Sequence, residues 1–168
     1  MSNLNLMTIN MPVCILGLIL AVAAVALAFK SRTWSPLVSF IALAVTYFWG
    51  RTMLDSSQFY FWGSAALIAW GIYIMLPRPV AASRVGMGYI VGGTLAGALV
   101  GLIASHAWLV LGAMLGAFCG ALAYSRTPSG AILQFPSSKF LHYLCAKGLP
   151  AVVMVCILGL LVEAVFAV

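Results

Sequence analysis

The chain has 168 residues, of which 65% are apolar and only 6% charged, and its mean hydropathy is +1.18. Soluble domains carry about a quarter charged residues, so this chain has too few polar side chains to cover a water-facing globule. Its net charge of +6 is spread singly between apolar runs, which argues against a basic nucleic-acid-binding face and for a chain whose solvent is lipid.

In hydrocarbon the backbone must satisfy its own hydrogen bonds, which leaves helices or closed barrels. Barrel strands alternate with period two. Here the apolar runs are continuous, so the expected fold class is all-α, a polytopic bundle of six transmembrane helices forming one membrane domain. A span needs about 20 residues. The six are expected over about Met11–Phe29, Pro36–Gly50, Phe59–Leu76, Gly86–Ala104, Ala107–Tyr124 and Leu149–Phe166.

The first run is preceded by the uncharged Met1–Asn10 and followed by Lys30 and Arg32, the reverse of a signal peptide, so it is expected to be a retained helix. The connections after the third and fifth runs carry Arg78 and Arg84, then Arg126, Lys139 and Lys147. With Lys30 and Arg32 these place seven of the eight Lys and Arg on one side, only Arg51 falling on the other. The positive-inside rule then puts both termini outside. Trp34, Trp49, Trp62 and Trp108 lie near predicted span ends, where amphipathic rings favour headgroups.

The longest connection precedes the sixth run. From Ser137 onward, Phe140, Leu141, Leu144 and Cys145 recur at helical spacing while Lys139, His142 and Lys147 lie mostly elsewhere around the wheel. A short interfacial helix is expected there, capped by Ser137 or Ser138, with its cations toward anionic headgroups. Pro150 then falls in the first turn of the sixth run, where its missing N–H is tolerated.

The most ordered pattern lies in the fourth and fifth runs. Gly93, Gly97 and Gly101 repeat every four residues, and Gly112, Gly116 and Gly120 do the same in the next run. That spacing puts each triplet on one face, where backbones can approach closely, and the short turn at Ser105-His106 makes the two helices antiparallel neighbours. The expectation is a glycine-zipper hairpin, closed within the chain, offered as an oligomerisation face or lining a small-residue pore. The stretch from Ser83 to Gly101 and the run Leu111–Gly120 resemble a family of small bacterial inner-membrane proteins of unknown function, which carry such a hairpin in their second half. The resemblance implies residence in the bacterial cytoplasmic (inner) membrane and supplies no catalytic residues.

Ionisable groups in a membrane protein are functional candidates. Asp55 and Glu163 are the only acids, and His106 and His142 the only histidines. Arg51, Asp55, His106 and Glu163 are all expected near the outer surface, as a candidate polar site for a cation or proton; solvated or interfacial side chains are the plainer reading. No paired nucleophile and base, phosphate loop or His-Glu-x-x-His motif occurs, and the four cysteines have no metal spacing, so neither catalysis, a metal nor a cofactor is expected. The expected role is a structural or accessory component that packs with itself or with a membrane-protein partner in the lipid bilayer; the alternative is a channel or transporter for a small solute.

This topology has a direct test. A single cysteine introduced at position 106 should be labelled by an impermeant thiol reagent from outside, and one at position 139 only from inside; the reverse pattern would overturn the orientation.

Overall fold

The computed structural model describes residues 11–30, 34–50, 54–75, 86–104, 106–133 and 135–166. Every regular element among them is a helix. The long helices are α1 (Met11–Phe29), α2 (Ser35–Trp49), α3 (Ser56–Met75), α4 (Met87–Ala104) and α5 (His106–Ser125). A 3-10 turn (Pro128–Leu133) leads to α6 (Ser138–Tyr143), a π-helical segment (Leu144–Gly148) and α7 (Leu149–Phe166). Three helical stretches are long and apolar enough to cross a membrane: α1, Trp108–Ser125 of α5, and the continuous Ser138–Val165; α2 and most of α4 are shorter apolar helices.

The first two helices meet through small residues. α1 buries Cys14, Gly17, Ala21, Ala24, Val25 and Ala28, a stripe at three- and four-residue spacing. Gly17 lies against Thr46, and the Cys14 thiol donates to the Gly50 carbonyl at 3.6 Å, so α1 and α2 run antiparallel. α3 starts one turn before the apolar run does. Asp55-Ser56-Ser57-Gln58 closes its N-terminus: the Asp55 N–H donates to Gln58 Oε1 at 3.4 Å, half of a capping box, and Phe59 N–H donates to the Asp55 carbonyl.

α7 is the central element. It touches all five other long helices. Val153, Met154, Val155, Cys156 and Ile157 are buried in succession, as befits a helix covered all round. Half of the Ser138–Val165 stretch is buried, against a third of α1 and of the α5 span, which makes it the strut on which two apolar clusters are built. One cluster joins Val25, Met87, Ile90, Ala113, Ala117, Tyr124 and Phe140 to Met154, and the other joins Ala21, Leu43, Leu54 and Ala66 to Ile157 and Leu161.

The segment before α7 differs from the expected interfacial helix in two ways. Ser137 does cap it, its hydroxyl accepting from the Phe140 N–H at 3.1 Å, but α6 runs on through the π segment into α7 without a break. Pro150 explains the π turn. Its ring would collide with the carbonyl four residues back, Ala146, and widening the helix there relieves the clash without ending the helix. The buried face is also rotated: Phe140, Tyr143 and Lys147 are buried, whereas Leu141 and Cys145 are exposed. Lys147, expected on the polar side, is 1% exposed.

Gly86, just before α4, has φ of +78°, and a Cβ there would fall against the Tyr143 hydroxyl and 2.7 Å from the Tyr124 ring. Gly86→Ala should therefore cost about 2–4 kcal/mol from left-handed strain plus overpacking, lowering the melting temperature by about 5–10 °C. Gly71→Ala, where no atom lies within 4 Å, should leave it unchanged or slightly raised.

Candidate functional site

The six glycines of the fourth and fifth runs face one another inside the chain. Gly93 lies against the Gly116 carbonyl, Gly97 against that of Gly112, and Gly101 against that of Trp108; Gly120 meets the Tyr89 carbonyl. A Cβ on Gly97 would stand 2.9 Å from Gly116 Cα, and one on Gly116 would stand 3.0 Å from Gly97 Cα. No side chain fits between these backbones, so their attraction is dispersion and short Cα–H to carbonyl contacts. Ala98, Ala113, Ala117 and Ala121 are buried beside them. Gly88 and Gly92 share the four-residue spacing but sit on the outer side of α4, with no atom within 4 Å of a Cβ position.

Hydroxyl groups within the helices turn back on their own backbone. Thr46 donates to the Ala42 carbonyl at 2.9 Å, Thr94 to Ile90 at 2.6 Å and Ser64 to Phe61 at 2.9 Å. That arrangement hides a polar atom in an apolar setting. The buried Ser39 hydroxyl has no hydrogen-bond partner among the described residues.

Of the four outer candidates, only Asp55 and Glu163 have side chains among the described residues. Arg51 lies outside the described residues, as does the side chain of His106, whose backbone opens α5. Asp55 is exposed and locally engaged, its carboxylate accepting from the Ser57 hydroxyl at 2.6 Å. Glu163 is half-buried near the end of α7, two residues beyond Leu161, which shares an apolar cluster with Leu54. Asp55 and Glu163 thus belong to the same end of the bundle. An apolar cavity of about 120 Å³ lies between α4, α5 and α7, walled by Leu95, Leu99, Leu102, Leu109, Leu158 and Val162 among others.

The opposite end holds a cluster that hydropathy did not reveal. The Tyr143 ring stacks on Tyr124 at 5.6 Å, and Lys147 Nζ lies over the Tyr143 ring, 5.1 Å from its centre. Tyr124 also meets Tyr89 at 5.8 Å and donates its hydroxyl to the Ser129 carbonyl at 3.2 Å. A ring quadrupole attracts an ammonium most strongly where water is excluded. The i, i+4 spacing of Tyr143 and Lys147 is the sequence signal for this contact, and hydropathy masks it by weighting Lys as a surface residue. Beside this cluster a cavity of about 430 Å³ opens, lined by Leu133, Ser138, Lys139, His142 and Tyr143.

Comparison with known proteins returned no matching family, curated relative or solved structure.

The glycine contacts predict a position-specific effect. Gly97→Leu or Gly116→Leu should separate α4 from α5, lowering the melting temperature by about 10 °C or more, since overpacking alone costs about 3 kcal/mol. Gly92→Leu, one residue from Gly93 but facing open space, should change it by no more than about 2 °C. Equal effects at positions 92 and 97 would contradict this packing.

Proposed function

We propose that this chain is a multi-pass integral membrane protein, non-enzymatic, which serves as a structural or accessory component packing with itself or with a membrane complex. The reading takes α1 to α5 and α7 as six spans around a glycine zipper in α4 and α5, with both termini outside a bacterial inner membrane. The observation that carries it is the backbone-to-backbone closure of α4 on α5. The faces that would line a small-residue path are spent on each other, and what turns outward is Leu99, Val100, Ile103, Met114 and Leu115, all exposed. Such a surface suits lipid or another helix, not water. Gly88 and Gly92 leave a smooth strip along the same outer side of α4 for a neighbour to approach.

The second reading, a channel or transporter for a small solute, draws less support. Its natural route is filled by the glycine contacts, and the cavity between α4, α5 and α7 is walled by carbon. The outer polar residues at its mouth, Arg51, Asp55, His106 and Glu163, would still serve as a point of attraction for a cation.

Purification in a mild detergent with native mass spectrometry tests the first reading. The expected result is a homo-oligomer or a stoichiometric complex with another membrane protein, and Gly92→Leu should weaken that assembly without unfolding the chain. A lone monomer at all detergent concentrations, coupled with solute flux in proteoliposomes, would replace this reading with the second.

A further inference from the structure

The cavity beside the tyrosine–lysine cluster carries an imbalance of charge. Ser138 and His142 stand one turn apart on α6, as do Lys139 and Tyr143, so the four residues share one side of the helix. Leu133, from the 3-10 turn, forms the facing wall, and the space between measures about 430 Å³, within the range of small-ligand clefts. Lys139 and His142 are exposed at its mouth, while Tyr143 is buried and forms its floor. Lys147 holds its ammonium over the same tyrosine ring.

No carboxylate is among the described residues that line this cavity. The chain has two acids in all, and Asp55 and Glu163 belong to the other end of the bundle. The Lys139 ammonium therefore meets no carboxylate among the described residues that line the cavity, and an anion has to come from outside. Lys139 and a hydroxyl from Ser138 supply donors, and His142 supplies a ring N–H. Ile132, Phe135 and Leu141, close in sequence to the lining residues, are exposed apolar side chains. A cationic donor with exposed apolar side chains nearby in the chain matches an anion that carries a greasy body.

We propose that this cavity binds a phosphate-bearing anion, held by Lys139, His142 and Ser138. An anionic phospholipid headgroup and a soluble phosphate compound offer the same chemistry to these donors. The lipid source rests on the membrane reading given above, which places this end at the inner leaflet; the phosphate site itself does not.

The test uses the full chain in a neutral detergent, with dioctanoyl phosphatidylglycerol, dioctanoyl phosphatidylcholine and inorganic phosphate as separate probes. Phosphatidylglycerol should raise the melting temperature by about 5 °C at saturating concentration, and added salt should shrink the shift. Phosphatidylcholine should raise it far less. The double variant Lys139→Gln with His142→Gln should lose most of the shift while its ligand-free melting temperature stays near that of the parent, both side chains being exposed. Lys139→Gln alone provides the same comparison should the double variant prove unstable. Lys30→Gln, an exposed cation that does not line the cavity, should retain the full shift. A shift produced equally by inorganic phosphate would support the site and assign it a soluble ligand. Equal shifts from the two lipids, or a shift untouched by the variants, would overturn the proposal. Alkaline extraction of the chain from membranes is scored separately, so that loss of the membrane reading and loss of the phosphate site give different results.

Discussion

The structure depends on two backbones being allowed to touch. Helices surrounded by apolar matter gain little from hiding apolar side chains, because the surroundings are as apolar as the side chains themselves. What remains is dispersion, which falls away steeply with a gap of less than an ångström. Gly93, Gly97 and Gly101 on α4 meet Gly112, Gly116 and Gly120 on α5 at distances that leave no room for a methyl group. Once that pair is closed, its flank presents Ala98, Ala113, Ala117 and Ala121 to the larger side chains of α7, and the core grows outward from there. α1 and α2 repeat the same solution on a smaller scale, with Gly17 and a run of buried alanines.

How much of this could be read beforehand follows from what each residue contributes. The limits of α1, α2, α4, α5 and α7 coincide with the apolar runs to within a residue or so, because length and hydropathy are properties of the run itself. α3 begins earlier than its apolar run since Gln58 bonds back to Asp55, an interaction between polar residues to which hydropathy is blind. Four-residue spacing did not by itself separate Gly93 and Gly97 from Gly88 and Gly92. Both sets satisfy it, and only the neighbour's position decides which face is filled. Lys147 was misplaced for a related reason: its aliphatic stem and its affinity for a ring let it go inside, while a wheel diagram counts only its charge. The outer polar group was a grouping by topology. The Asp55 carboxylate accepts from the Ser57 hydroxyl, and the side-chain geometry of Arg51 and His106 lies outside the described residues.

The two ends of the bundle are consequently unlike. At one, the carboxylate of Asp55 is engaged with the turn that starts α3, and Glu163 is partly covered in the last turns of α7. At the other, aromatic rings do the packing: Phe118, Phe135 and Phe140 meet edge to face, and Tyr89, Tyr124, Tyr143 and the Lys147 ammonium form a chain of stacked contacts. Edge-to-face rings fix mutual angles in a way that aliphatic side chains do not. This end is therefore geometrically specified even though it contains a 3-10 turn, wound tighter than an α-helix, and a π segment, wound wider.

The unbroken passage from α6 into α7 has a mechanical meaning. The stretch Ser138–Val165 holds 28 residues, which at 1.5 Å each is a rod of about 42 Å, whereas the hydrocarbon of a bilayer is about 30 Å thick. On the six-span reading, the rod overhangs by about two helical turns, and those turns carry Ser138, Lys139 and His142. A push on the overhang is not absorbed by a loop, since none intervenes; it reaches a strut that touches every other long helix. The one departure from α-helical winding along that stretch is the π turn at Leu144–Gly148, so a displacement outside the layer passes through that turn before it reaches the strut.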